Sequence, residues 1–120
     1  RMSIYKRISS INKIEQCKEI ISEIIDRFGK LPYQVENLFK VIEIKIICLN
    51  NNINFIEFNR KGIVLGFYKN NPKNPDKIMK LNISNKQIAI RPDQKIFYDF
   101  FGELNEDRFV LIKKIIEEII

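Results

Sequence analysis

The sequence contains no histidine and no tryptophan, and only two cysteines, four glycines and four prolines among its 120 residues. Without histidine the usual imidazole general base is missing. Ser3, Ser9, Ser10, Ser22 and Ser84 therefore lack the partner that would turn a hydroxyl into a nucleophile. Cys17 and Cys48 form no CxxC pair, and with histidine absent a transition-metal site is not expected. Both cysteines fall on helix-patterned stretches and read as small buried hydrophobes rather than as a disulfide or a reactive thiol. Gly29, Gly62, Gly66 and Gly102 stand alone, in neither a G-x-x-x-x-G-K-S/T nor a G-x-G-x-x-G setting, so there is no phosphate loop. No apolar run approaches the ~20 residues that span a bilayer, and no signal peptide is visible. Catalysis within this segment, a metal, a cofactor of its own and a membrane partner are all unexpected.

What is present describes a globular domain. A hydrophobic share of 45% and a charged share of 30% suit an ordinary core under a solvated surface, and residues 1–120 are long enough for a single domain. The chain starts at Arg1, and a helical pattern is still running at Ile120, so the expectation is a piece excised from a longer protein. The net charge of +6 is unevenly spread: residues 60–95 hold nine basic and two acidic side chains, the rest twelve and thirteen. Two readings of Arg60, Lys61, Lys69, Lys73, Lys77, Lys80 and Lys86 stay open. They form a phosphate-contacting surface, with Phe67, Tyr68, Phe97 and Tyr98 nearby, or an ordinary solvated one in a chain rich in Lys, Asn and Ile. No RRM, KH or zinc-finger spacing is present, so binding to nucleic acid would be salt-sensitive and weakly sequence-selective. The carboxylate pairs Glu106-Asp107 and Glu117-Glu118 read as a helix-opening pair and a solvent-facing pair.

Taken in order, Ile4, Ile8 and Ile11 predict a short helix, with Tyr5 beside them, ending near Ser9-Ser10. Asn12 with Glu15 predicts a capping box for a second helix running to Phe28. The next helix starts at Pro32, carries Val35, Leu38, Phe39, Ile42, Ile46 and Leu49, and ends in the Asn50-Asn51-Asn52 run. Ile53–Phe58 and Ile63–Tyr68 are β-branched and aromatic, joined by Asn59-Arg60-Lys61-Gly62 as a hairpin loop. Asn74 caps a short helix that begins at Pro75 and carries Ile78, Met79 and Leu81. A second strand pair, Gln87–Arg91 and Lys95–Phe100, turns around Pro92-Asp93-Gln94. A last helix from Asn105 presents Phe109, Ile112, Ile116 and Ile119. The expected class is α+β: N-terminal helices packed on a small, mainly antiparallel sheet of four strands, with a closing C-terminal helix. Strand order is not readable.

One stretch organises the rest. Ile14, Cys17, Ile21, Ile24 and Phe28 recur at steps of three and four, one face of a helix. Gly29 follows where a left-handed C-cap is wanted, and Pro32 suits the first turn of the next helix. Phe28, Gly29 and Pro32 thus form a structural turn. The opposite face carries Glu19, Glu23, Asp26 and Arg27, with Glu23 and Arg27 four apart in the favourable order for an ion pair. By itself such a pair is ordinary surface chemistry.

Arg1-Met-Ser-Ile-Tyr-Lys-Arg-Ile8, then Glu23-Ile-Ile-Asp-Arg-Phe-Gly-Lys-Leu-Pro32, then the Val35/Leu38 helix running into Asn52-Ile53, resembles the C-terminal domain of bacterial transcription-repair coupling factors (Mfd). The resemblance is sharp over residues 1–38, with Ile24 where the family has Leu, and beyond Asn59 the sequence is compatible. It implies a cytoplasmic bacterial parent that is an ATP-dependent DNA translocase, binding double-stranded DNA and stalled RNA polymerase and recruiting the excision-repair protein UvrA. ATP and Mg would belong to motor domains outside this segment. It further implies that this domain folds back on a UvrB-like module and covers its UvrA-binding surface, with Glu23, Asp26 and Arg27 at the family's contact positions. The alternative, independent of the resemblance, is a basic nucleic-acid-binding accessory domain.

Overall fold

Helical periodicity governs the chain to Asn50, and β-branched, aromatic stretches take over from Ile53. The computed structural model describes residues 2–120, less the side chains of residues 2, 3 and 5. Arg1 and the Tyr5 side chain of the opening motif therefore lie outside the described residues. Among these, five helices and a four-stranded antiparallel sheet make the fold α+β. The chain divides into two compact units, Arg1–Ile47 and Cys48–Ile120. None of the described helices is long and apolar enough to cross a membrane.

In the first unit, α1 (Met2–Ser9), α2 (Ile14–Phe28) and α3 (Tyr33–Asn50, which runs past the boundary) share one core. Its buried residues are Cys17, Ile20 and Ile24 from α2 and Phe39 and Ile46 from α3, with Ile4 and Ile8 of α1 packed against them. The expected α2 stripe is corrected at two places. Ile20 takes an inward position, leaving Ile21 only partly buried, while Phe28 is 68% exposed because it ends the helix beyond that core. On α3, Leu38 and Leu49 are exposed although they share the apolar pattern.

The boundaries of α2 also differ in detail. The helix starts at Ile14, and the side-chain oxygen of Gln16, not Glu15, accepts from the backbone N–H of Asn12 (2.9 Å) and Lys13 (3.2 Å). The box is one-sided, since an ammonium at the Lys13 N-cap position has no acceptor to return. At the other end Gly29 donates its N–H to the Ile25 carbonyl at 2.8 Å. Its φ of 80° is positive as expected, but a ψ of −138° lies outside the left-handed helical well, in a region essentially reserved for glycine. Pro32 sits one place earlier than expected. Its carbonyl accepts from Glu36 N–H at 3.0 Å, so Pro32 precedes the helix that begins at Tyr33.

In the second unit β1 (Ile53–Phe58) and β2 (Gly62–Phe67) form the hairpin, α4 (Pro75–Ser84) follows, and β3 (Ile88–Ile90), β4 (Ile96–Asp99) and α5 (Arg108–Ile119) complete it. Tyr68, expected to end β2, instead opens a single 3-10 turn over Tyr68–Asn70. The order is β1-β2-β4-β3, antiparallel throughout, and β2 is buried along its whole length. The Asn59 side chain closes the hairpin by accepting from Lys61 and Gly62 N–H at 2.8 and 3.0 Å. Asn74 caps α4 as expected. Asp107 caps α5, which starts three residues after Asn105 and buries Leu111 and Ile115 besides Ile112, Ile116 and Ile119. Of the Glu117-Glu118 pair, Glu117 is exposed as expected while Glu118 is half-buried, its Oε2 shielded with no hydrogen-bond partner among the described residues.

Candidate functional site

Glu23, Asp26 and Arg27 lie on the last two turns of α2, a position set by the Cys17/Ile20/Ile24 face turning inward. A helix advances about 100° per residue, so Asp26 and Arg27 cannot point the same way. Glu23 and Asp26, with Arg7, Lys18, Glu19 and Ser22, line an open hollow of about 500 Å³. Arg27 instead borders an apolar groove of about 430 Å³ formed by Ile4, Ile8, Ile24, Phe28, Pro32 and Val35. The expected single patch is therefore two adjoining surfaces with Glu23 and Asp26 on one and Arg27 on the other. The expected Glu23–Arg27 pairing within the helix is replaced as well: the Arg7 guanidinium on α1 donates to Glu23 Oε2. Both side chains keep substantial exposure, 44% and 33%, which places the pair at about 0.2–1 kcal/mol. Arg7 was overlooked by sequence reasoning. The available signal was its place beside Ile8 on a helix whose Ile4 and Ile8 must face α2.

The basic residues are spread over the second unit. Arg60 and Lys61 occupy the hairpin turn, Lys69 the 3-10 turn, Lys73 the loop before α4, and Lys80 lies on α4, all exposed, as is Lys86 beyond it. Lys77 is committed elsewhere, half-buried and donating from Nζ to the Ile120 carbonyl oxygen at 2.7 Å. Of the nearby aromatics Phe67 is buried, Phe97 and Tyr98 are half-buried and Tyr68 is half exposed. The two thiols are unsuited to chemistry. Burial, with Glu43 nearby as a second cause, raises the Cys17 pKa, and burial pushes Cys48 up to about 11. Among the described residues no three His, Cys, Asp or Glu side chains converge as metal ligands.

A sequence profile of the TRCF domain matches residues 1–78. The chain belongs to the TRCF domain family. Relatives named transcription-repair-coupling factor include that of Rickettsia conorii, 34% identical over 99 residues covering 82% of this chain and 9% of that protein. The Haemophilus influenzae protein is 31% identical over 108 residues, 90% of this chain and 9% of its own. The Escherichia coli protein is 37% identical over 75 residues, 62% and 6% respectively. The TRCF domain described here thus spans about a tenth of the length of these relatives. A crystal structure of the C-terminal domain of transcription-repair coupling factor superposes with a TM-score of 0.69 at 19% identity, covering 98% of this chain and 75% of that one. That likeness extends the shared fold past the profile match, through β3, β4 and α5. The chain is thus a TRCF domain whose named relatives are transcription-repair-coupling factors.

Proposed function

We propose that this TRCF domain is the autoinhibitory end of a transcription-repair coupling factor. In this reading it folds against the parent's UvrB-like module and masks the surface that recruits UvrA. The observation that supports it is the placement of Asp26 and Arg27. Both are exposed, Asp26 on the hollow and Arg27 beside the apolar groove, and neither is in an ion pair among the described residues. They offer a carboxylate and a guanidinium to a partner, while Glu23 is shared with Arg7. Exposed charge pairs contribute about 0.2–1 kcal/mol each, so a few of them make a lock that a conformational change can open. The opening would come from the parent acting as an ATP-dependent translocase on double-stranded DNA that displaces stalled RNA polymerase in the bacterial cytoplasm. ATP and Mg are assigned to its motor and none to this domain.

The test is a UvrA capture assay on the full-length parent, wild type against the Glu23→Ala/Asp26→Ala/Arg27→Ala variant. A ligand that binds only the open form gains whatever the lock loses, so the variant should capture more UvrA. The same triple change should alter the stability of this domain by about 1 kcal/mol or less, read in a denaturant melt. Unchanged UvrA capture with an intact fold rejects the lock, and a collapsed fold makes these residues structural.

A further inference from the structure

One face of the sheet carries a row of positions unrelated to the α2 surfaces. Phe55 on β1 lies opposite Gly66 on β2. The Lys95 stem crosses Gly66 from the other side: a Cβ placed on Gly66 would lie 3.1 Å from Phe55 Cβ and 3.3 Å from Lys95 Cε. The missing side chain at Gly66 therefore lets Lys95 lie across the sheet, with its ammonium 4.7 Å from the centroid of the Phe55 ring. At the end of β2 a second such pair stands, Lys69 Nζ being 5.3 Å from the Tyr68 ring. Phe55 is 39% and Tyr68 50% exposed. Asn54, Asn70 and Lys69 join Phe55, Gly66 and Lys95 around an open hollow of about 400 Å³. The charges opposing this face are Asp93, 4.0 Å from Lys95 Nζ and also paired with Arg91, and Glu57, which accepts from Asn59. Each is already engaged with a neighbour, and Lys69 has no carboxylate partner among the described residues.

We propose that this face binds single-stranded nucleic acid, Lys69 and Lys95 taking backbone phosphates while the Phe55 and Tyr68 rings take base faces. Two exposed aromatic rings, each with a lysine at its face, combine the parts such surfaces use: stacking that tolerates any base, and cations that follow the backbone. A duplex keeps its base faces stacked inside and would meet only the lysines. Free phosphate and anionic lipid headgroups share the anion chemistry but offer no base.

The experiment is fluorescence anisotropy of the 120-residue chain with labelled oligo(dT) and oligo(U) of roughly 15 nucleotides. A mixed-sequence duplex of similar length, inorganic phosphate and phosphatidylglycerol vesicles serve as the other arms. Single strands should bind more tightly than the duplex, and neither phosphate nor vesicles should compete at matched charge. Lys69→Gln/Lys95→Gln should weaken oligo binding by about tenfold and lower the salt slope by roughly 1.4, about 0.7 for each lost phosphate contact. Phe55→Leu should weaken it about fivefold with little change in slope, as loss of stacking does. Lys95→Arg should retain binding, and Lys80→Gln/Lys86→Gln, elsewhere on the basic surface, should cost less than about threefold. Equal losses from the site pair and the distant pair, a preference for duplex, or binding to vesicles without binding to oligonucleotide would each overturn the proposal. Should Phe55→Leu or Lys95→Gln disturb folding in a thermal melt, Lys69→Gln alone, at an exposed turn, decides.

Discussion

In the helical unit the best-buried side chains, Ile20 and Phe39, are each 3% exposed; in the sheet unit Ile63 and Ile116 are at 0% and Leu65, Ile96 and Ile115 are below 2%. The difference follows from how each unit builds its core. Three amphipathic helices meet along stripes, and the flanks of each stripe, such as Ile21 and Ile42, stay partly open. β2 is a central strand with neighbours on both edges, and it is covered along its full length. Depth of burial and candidate contacts separate accordingly. The helical unit shows its charged groups, Asp26 and Arg27, on a helix that a partner can reach. The sheet unit supplies the most tightly packed positions and an outward row beside them.

That contrast is most directly broken at Gly62. A Cβ there would lie 2.0 Å from the Tyr98 carbonyl oxygen and 2.9 Å from the Phe97 ring, so Gly62→Ala forces β2 and β4 apart. The expected loss is about 4 kcal/mol or more in a urea melt, and a near-neutral result would show that the strands can separate cheaply. Next in size, Ile116→Ala should cost about 3–4 kcal/mol and Ile20→Ala about 2–3 kcal/mol, because a fully enclosed site collapses less around its cavity. The reverse order would remove the difference in burial between the units.

Gly29→Ala sharpens the comparison from the helical side. No atom lies within 4 Å of the added Cβ, so the cost is backbone strain at φ 80° alone, about 1–2 kcal/mol. A stabilising result would mean that the α2 terminus relaxes into helix. A separate effect is alkaline. The Cys48 pKa is raised by burial from 9.0 to about 11, so the folded chain holds that proton more tightly than the unfolded one. Its contribution is fully present below pH 9 and is lost as the pH rises towards 11, at no more than about 1.4 kcal/mol per pH unit. Cys48→Ala should flatten the fall of stability over that window, read as melts at stepped pH, and an unchanged slope would assign the fall to other groups.

Much of the local structure was legible because the atoms involved are neighbours in sequence. Asn74 before Pro75, Asn59 closing the hairpin and Gly29 ending α2 each act within four residues. The opening signature of the family fell in the same stretch, through α1, α2 and the turn to α3. The candidate site was half legible. Glu23, Asp26 and Arg27 could be placed on α2 by periodicity, but not divided between two surfaces, since the hollow and the groove each depend on α1 or α3 as well. Phe28 belonged to the apolar pattern, yet the end of the core lay one turn earlier.

By itself the sequence determined which segments are helix or strand, where most of them stop, and which family they belong to, since period and capping are properties of a few consecutive residues. Only the tertiary structure decided that Glu23 pairs with Arg7, sixteen residues away, rather than with Arg27 on its own helix. It also decided the order β1-β2-β4-β3, and with it that Gly62 meets the Tyr98 carbonyl while Gly66 leaves a bed for Lys95. Those contacts depend on strand register and on helix docking, which the whole core sets together. A one-residue slip would exchange every partner while leaving the local pattern unchanged.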